Sequence, residues 1–287
     1  MGNMKRTGMA LIACLLATGE GICETAAPAP AVEKLPLYEY GIIGLVATIP
    51  HYRGSDEYET YAFPLPYFVY RGEVVKADRD GVRGIFWKYK NFETDISLSG
   101  NPPSENDEAR EGMPDLDAMG ELGPALNYYF YRYGERNNLY FQANLRGAFA
   151  IDFDSGLDMS YEGVNSTLAL IFNDSDLLKD YRARFHVSGG LQFADDRLHS
   201  YFYEVAPRYA TPGRRQYEAE GGYSGFYLAG SVVKDLTAKL SVSGYARWMN
   251  IDGAVFEDSP LVETTNNVIV GALVIWKFGE SETLVEP

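Results

Sequence analysis

Long stretches of the chain alternate between apolar and polar residues, and a period of two leaves room only for strands with one face of each kind. From 139 to 151, Leu139, Phe141, Ala143, Leu145, Phe149 and Ile151 share one face, while Tyr140, Gln142, Asn144, Arg146 and Ala148 share the other. From 181 to 193, Tyr181, Ala183, Phe185, Val187, Leu191 and Phe193 alternate with Arg182, Arg184, His186, Ser188 and Gln192. Phe92, Ile96 and Leu98 alternate with Glu93, Asp95, Ser97 and Ser99, and Leu240, Val242, Ala246 and Trp248 with Lys239, Ser241, Ser243, Tyr245 and Arg247. About twelve strands are expected, with ten as the lower count, over 38–47, 60–71, 81–90, 91–100, 120–133, 138–152, 157–172, 181–194, 198–206, 217–234, 237–250 and 266–278. Several exceed the usual globular strand of about 5–6 residues, and many reach the roughly 9–11 that a tilted transmembrane strand needs.

Alternation by itself fits two architectures. In a lipocalin-like barrel or a sandwich the apolar face points inward. In an outer-membrane barrel the faces invert, and apolar residues meet lipid. Three features favour the membrane. Short connectors such as 133–138 and 195–197 contrast with long polar ones at 101–119, 207–215 and 252–265. Aromatic residues crowd strand ends, as in Tyr128-Tyr-Phe-Tyr131, Tyr201-Phe-Tyr203 and Trp276-Lys-Phe278, in the manner of an interfacial girdle. The third is the N-terminus, which reads as an export signal over 1–27: Lys5 and Arg6 precede nine apolar or small residues, Met9 to Ala17, too few to span a bilayer. A lipoprotein-type cut before Cys14 is the weaker alternative, because the apolar run ahead of it is too brief.

Removing residues 1–27 takes away both cysteines, Cys14 and Cys23, so the mature chain would have no disulfide and no thiolate chemistry. It takes away two basic and two acidic residues, so the net charge of −15 belongs to the mature protein. Such acidity excludes a general nucleic-acid binder, and a charged fraction of 23% with mean hydropathy of −0.22 excludes a bundle of membrane helices. The expected organisation is a signal over 1–27, a linker over 28–37, a β-barrel over 38–278 and a tail over 279–287.

Six segments in order give a family resemblance. They are Pro50-His-Tyr-Arg-Gly-Ser-Asp-Glu-Tyr58, Pro64-Leu-Pro-Tyr-Phe-Val-Tyr-Arg71, Met113-Pro-Asp-Leu-Asp117 with Glu121-Leu-Gly-Pro124, Tyr201-Phe-Tyr-Glu-Val205, Tyr217-Glu-Ala-Glu-Gly-Gly222, and Asp258-Ser-Pro-Leu-Val262 with the final strand. Together they resemble the MipA/OmpV family of Gram-negative outer-membrane proteins across nearly all of the mature chain. The resemblance implies a non-enzymatic outer-membrane β-barrel without cofactor. It also implies a scaffold role between a lytic transglycosylase and a murein synthase, with a narrow porin-like channel or an adhesin as the alternatives. Glu204 stands where the family usually has Gly, and the chain runs nine residues past Phe278.

Other constellations weigh less. His186 and Ser188, two apart on one strand face, could form a nucleophile–base pair, but their neighbours place them away from lipid. Asp152-Phe-Asp-Ser-Gly156 lacks the rest of a calcium loop. The acidic run Glu105-Asn-Asp-Glu108 with Glu111, Asp115 and Asp117 reads as a solvated loop, and His51, His186 and His199 lack metal-ligand spacing. More telling are the charges on polar strand faces: Glu93, Asp95, Glu121, Arg146, Arg182, Arg184, Glu204, Arg247 and Lys277. In a barrel they would line the lumen and need partners there.

Overall fold

The computed structural model describes residues 34–71, 75–78, 81–84, 87–133, 137–153 and 158–285. The expected signal segment, Cys14, most of the linker and much of Asp152–Gly156 lie outside the described residues. Among the described residues fifteen strands form: β1 (Leu35–Pro36), β2 (Tyr38–Pro50), β3 (Tyr58–Arg71), β4 (Val75–Asp78), β5 (Gly81–Gly84), β6 (Trp87–Tyr89), β7 (Phe92–Asn101), β8 (Ala118–Tyr133), β9 (Asn137–Asp152), β10 (Asp158–Asp174), β11 (Ala183–Ala194), β12 (Gly222–Asp235), β13 (Leu240–Asn250), β14 (Asn266–Glu280) and β15 (Leu284–Val285). Among the described residues one α-helix, α1 (Asp196–Tyr203), interrupts them.

Thirteen strands make a single antiparallel sheet in the order β5-β4-β3-β2-β14-β13-β12-β11-β10-β9-β8-β7-β6. Neighbours in the sheet are neighbours in sequence except where β2 pairs with β14. The first long strand therefore lies against the last, as an up-and-down meander requires if its ends are to meet. The two strands at the ends of the order, β5 and β6, are separated in the chain only by residues 85–86. Cα atoms of β5 also come within 8 Å of those of β7. A further small ladder pairs Leu35 with Val285 and Pro36 with Leu284, tying the start of the described chain to its end.

The long connections, 51–57, 102–117, 195–221 and 251–265, all leave the same end of the sheet. Connections 90–91, 175–182 and 236–239 leave the other end, together with the β1–β15 ladder. The long connections pack into a cap around Tyr52, Leu116, Tyr203, Val205, Ile251, Phe256 and Leu261.

Two expected strands are corrected. Residues 198–206 begin in α1, because the Asp195 carboxylate accepts from the Leu198 N–H at 3.0 Å and caps a helix whose buried residues are Leu198, His199 and Tyr203. Residues 217–221 make only a bridge, Val205 to Tyr217, and the strand starts at Gly222. The cap docks on the sheet through Gly163. This residue sits at a β-bulge with φ +121°, and a Cβ there would lie 2.3 Å from Asp195 Oδ1. Only glycine accepts both that backbone and that approach.

Candidate functional site

The two faces of the sheet carry opposite chemistry. Its outer face exposes Val46, Leu65, Leu98, Leu122, Leu126, Leu145, Leu168, Leu191, Leu228 and Val274 along the strand middles. Aromatic residues flank this aliphatic band: Tyr40, Phe68, Trp87, Tyr89, Phe130, Trp276 and Phe278 near the short turns, and Tyr58, Phe153, Tyr161 and Trp248 near the cap. Phe141, Leu145, Leu191 and Trp248 are exposed, and Phe185 and Val242 share their face in partly covered positions.

The inner face is polar and enclosed. Near the cap, Arg146 Nε bonds Glu121 Oε2 at 2.9 Å, and the Asn165 amide donates to the other Glu121 oxygen at 2.9 Å. Arg146 and Glu121 are 8% and 6% exposed, so the pair is desolvated and its further bonds matter. Arg146 has two more, to Ser97 Oγ at 3.1 Å and Thr167 Oγ1 at 3.4 Å. Lower down, Asn127 donates to Asp95 Oδ2 at 2.9 Å and accepts from Gln142 at 2.9 Å. Near the short turns, Arg132 meets Glu93 at 2.7 Å, Lys277 meets Glu39 at 3.1 Å and Arg184 meets Asp235 at 3.1 Å. His186 Nδ1 is 2.7 Å from Asn173 Oδ1, and Ser188 is buried.

Of the charges singled out in the sequence, Arg146 and Glu121 come together, and Glu93, Asp95, Arg184, Arg247 and Lys277 also point inward. Arg182 does not. It is exposed, in left-handed backbone at φ 54°, and closes a 3-10 turn before β11. Glu204 follows the helix on the cap rather than lying on a strand. The partners Arg132, Glu39 and Asp235 were not foreseen. A bulge between Tyr129 and Tyr131 switches the parity of β8, so Arg132 turns inward while Tyr131 is exposed. Glu39 and Asp235 lie at strand ends, where alternation is too short to read.

The cap supplies a second constellation. Asp107, from the acidic run, accepts from Ser55 Oγ at 2.9 Å and lies 3.0 Å from His51 Nδ1. The Tyr52 hydroxyl donates to the Leu261 carbonyl at 2.7 Å, and burial and Asp107 push that phenol up. Tyr203 stacks on Phe256 at 3.7 Å and donates its hydroxyl to the Arg53 carbonyl at 2.8 Å. Burial pushes Tyr203 up to about 12.

His199 lies beside these rings. Its Nδ1 donates to the Glu220 carbonyl at 2.6 Å, which leaves Nε2 to accept the Ser224 hydroxyl at 2.7 Å. Burial, and to a lesser degree Arg53, hold the imidazole below its usual range, in this neutral form. The arrangement has the hydrogen-bond order of a serine–histidine pair. With His199 1% and Ser224 0% exposed, no substrate carbonyl reaches it, and the contact joins α1 to β12.

Arg53 links cap and wall. Its Nη1 donates to Gln192 Oε1 at 3.0 Å and to the Ser224 carbonyl at 3.2 Å. Desolvation, with the nearby guanidinium groups of Arg247 and Arg146, lowers its affinity for the proton from the usual arginine value.

An antiparallel sheet with one polar and one aliphatic face, its long connections folded into a cap at one end, defines the class of protein. The family model described as MltA-interacting protein MipA matches residues 43–278, and the chain belongs to that family. No curated protein gives a match. Among solved structures, the chain is similar to the Ralstonia pickettii toluene transporter TbuX at 8% identity and a TM-score of 0.24, covering 86% of this chain and 70% of that one.

Proposed function

We propose that this protein is a non-enzymatic outer-membrane β-barrel, capped at its outer mouth, that serves as a scaffold on its periplasmic side. The observation that carries the reading is the aliphatic band between two aromatic belts on the exposed face, set against buried Glu93, Asp95, Glu121 and Arg146 on the other. Lipid favours the first face, and a closed ring favours the second. In such barrels short turns face the periplasm and long loops the exterior. The cap then lies outside the cell. The short turns and the β1–β15 ladder face the periplasm, where a lytic transglycosylase and a murein synthase would dock.

Closure of the ring is supported by the continuity of β5 with β6, the two strands at the ends of the sheet order. An open edge in hydrocarbon would leave backbone groups without partners.

Outer-membrane fractionation followed by co-purification with a lytic transglycosylase and a murein synthase tests the reading. Recovery of the protein in the outer-membrane fraction with either partner is expected. Recovery in the soluble periplasm would overturn the membrane assignment, and a protein in the outer membrane that retains neither partner would overturn the scaffold. The competing channel rests on the charged interior. Planar-bilayer recordings of the full chain decide it: a packed cap predicts little steady conductance.

A further inference from the structure

Three guanidinium groups enter the interior where the wall meets the cap: Arg53 from the 51–57 connection, Arg146 from β9 and Arg247 from β13. Only Arg146 has a carboxylate there. Both oxygens of that carboxylate, Glu121, are already engaged, one by Arg146 and one by Asn165. Among the described residues, Arg53 and Arg247 have no ion-pair partner. They share a neutral one. Gln192 Oε1 lies 3.0 Å from Arg53 Nη1 and 3.4 Å from Arg247 Nη2.

Two positive groups converging on one amide oxygen repel each other, and the nearby carboxylate, Glu121, acts on Arg53 only at a distance, its oxygens being bonded by Arg146 and Asn165. Arg247 packs its guanidinium over the Tyr227 ring at 4.0 Å, while its Nε is buried without a hydrogen-bond partner. Buried donors are rarely left unpaired. A planar guanidinium presents its N–H groups as a fork matched to two oxygens of one anion. The combination lacks a negatively charged group with at least two acceptor oxygens.

We propose that Arg53, Gln192 and Arg247 form a binding site for a small oxyanion, a carboxylate or phosphate group, under the cap. Arg53 belongs to the cap and Arg247 to the wall, so the bound anion ties one to the other. Occupancy of the site therefore sets how firmly the cap is held. This holds whether or not the interior conducts and whichever partner the periplasmic side engages.

The test is thermal unfolding of the full chain in detergent micelles, with inorganic phosphate and acetate titrated separately at constant ionic strength set by chloride. At least one of the two is expected to raise the melting temperature by several degrees. Phosphate alone would identify a phosphoryl ligand, and acetate alone a carboxylate. Arg247→Gln should weaken the response at least about tenfold, as loss of one partner in an enclosed charge pair does. Arg184→Gln, in the ion pair at the far end, should leave it intact. Gln192→Glu places the missing carboxylate between the two arginines without removing either. It should raise the melting temperature in chloride alone and abolish the response to added anion. The proposal is overturned if neither anion acts on the wild type, or if Arg247→Gln and Gln192→Glu respond as the wild type does.

Discussion

On the wall, Leu145 is 54% exposed while the adjacent Arg146 is 8% exposed; in the cap, Phe256 and Leu261 are fully buried while Asp252, Glu218 and Glu220 face outward. One chain thus obeys two opposite rules within a few tens of residues. The cap is organised as water requires, with apolar groups inside. The wall is organised as it would be if its outer surface never met water. A soluble protein does not leave so broad a continuous apolar surface uncovered. The contrast teaches that burial alone does not locate a core. What surrounds each region must be known first.

The comparison can be broken most sharply in the cap. Phe256→Ala removes the stacked partner of Tyr203 from the most enclosed part of the molecule and should cost about 3–5 kcal/mol. Hydrogen exchange should show protection lost across 195–221 and 251–265 but kept in β8–β10. Equal loss in the strands would mean that cap and wall are one cooperative unit.

Next in size is a charge on the outer wall. Leu145→Arg and Val242→Arg should each cost about 2–4 kcal/mol in lipid vesicles. Folding titrations measure this. If both are neutral while Gln142→Leu and Ser243→Leu are disruptive, the outer face meets water and the membrane reading fails.

A smaller effect should separate the regions by pH. His199 has a folded-state pKa below the ordinary imidazole value near 6.5. The unfolded cap therefore binds the proton more readily, and the stability from His199 is complete above about pH 6.5 and lost as pH falls below it. Melting curves between neutral and mildly acidic pH should show the decline in wild type and a flatter profile in His199→Gln. Parallel profiles would remove His199 as the cause.

The smallest effect is expected at the short-turn end. Arg184 and Asp235 are joined, but their side chains are 22% and 28% exposed, so solvent screens them. Arg184→Ala should cost less than about 1 kcal/mol. Arg146→Ala should cost several times more, because it strips an enclosed carboxylate of its main partner. Similar losses for the two, read from denaturant midpoints, would mean that water fills the interior from end to end.

The sequence by itself determined the strands and their two faces, because a period of two is written residue by residue and needs no partner to be read. It also marked Arg146, Glu121, Glu93 and Asp95 as sharing the polar face. It misread α1 as a strand, since the aromatic run Tyr201-Phe-Tyr203 is of the kind that strand ends favour. Only the Asp195 cap and the packing of Leu198, His199 and Tyr203 decide between the two. Tertiary structure alone decided the partners. The bulge in β8 reverses the parity that would have kept Arg132 outside, and strand register brings Arg146 of β9 to Glu121 of β8 and Asn165 of β10. It also decided that Arg53, Gln192 and Arg247 meet, since they come from three connections or strands far apart in the chain. Alternation fixes which way a side chain points, but what it meets depends on register, bulges and loop packing, which are set by distant residues.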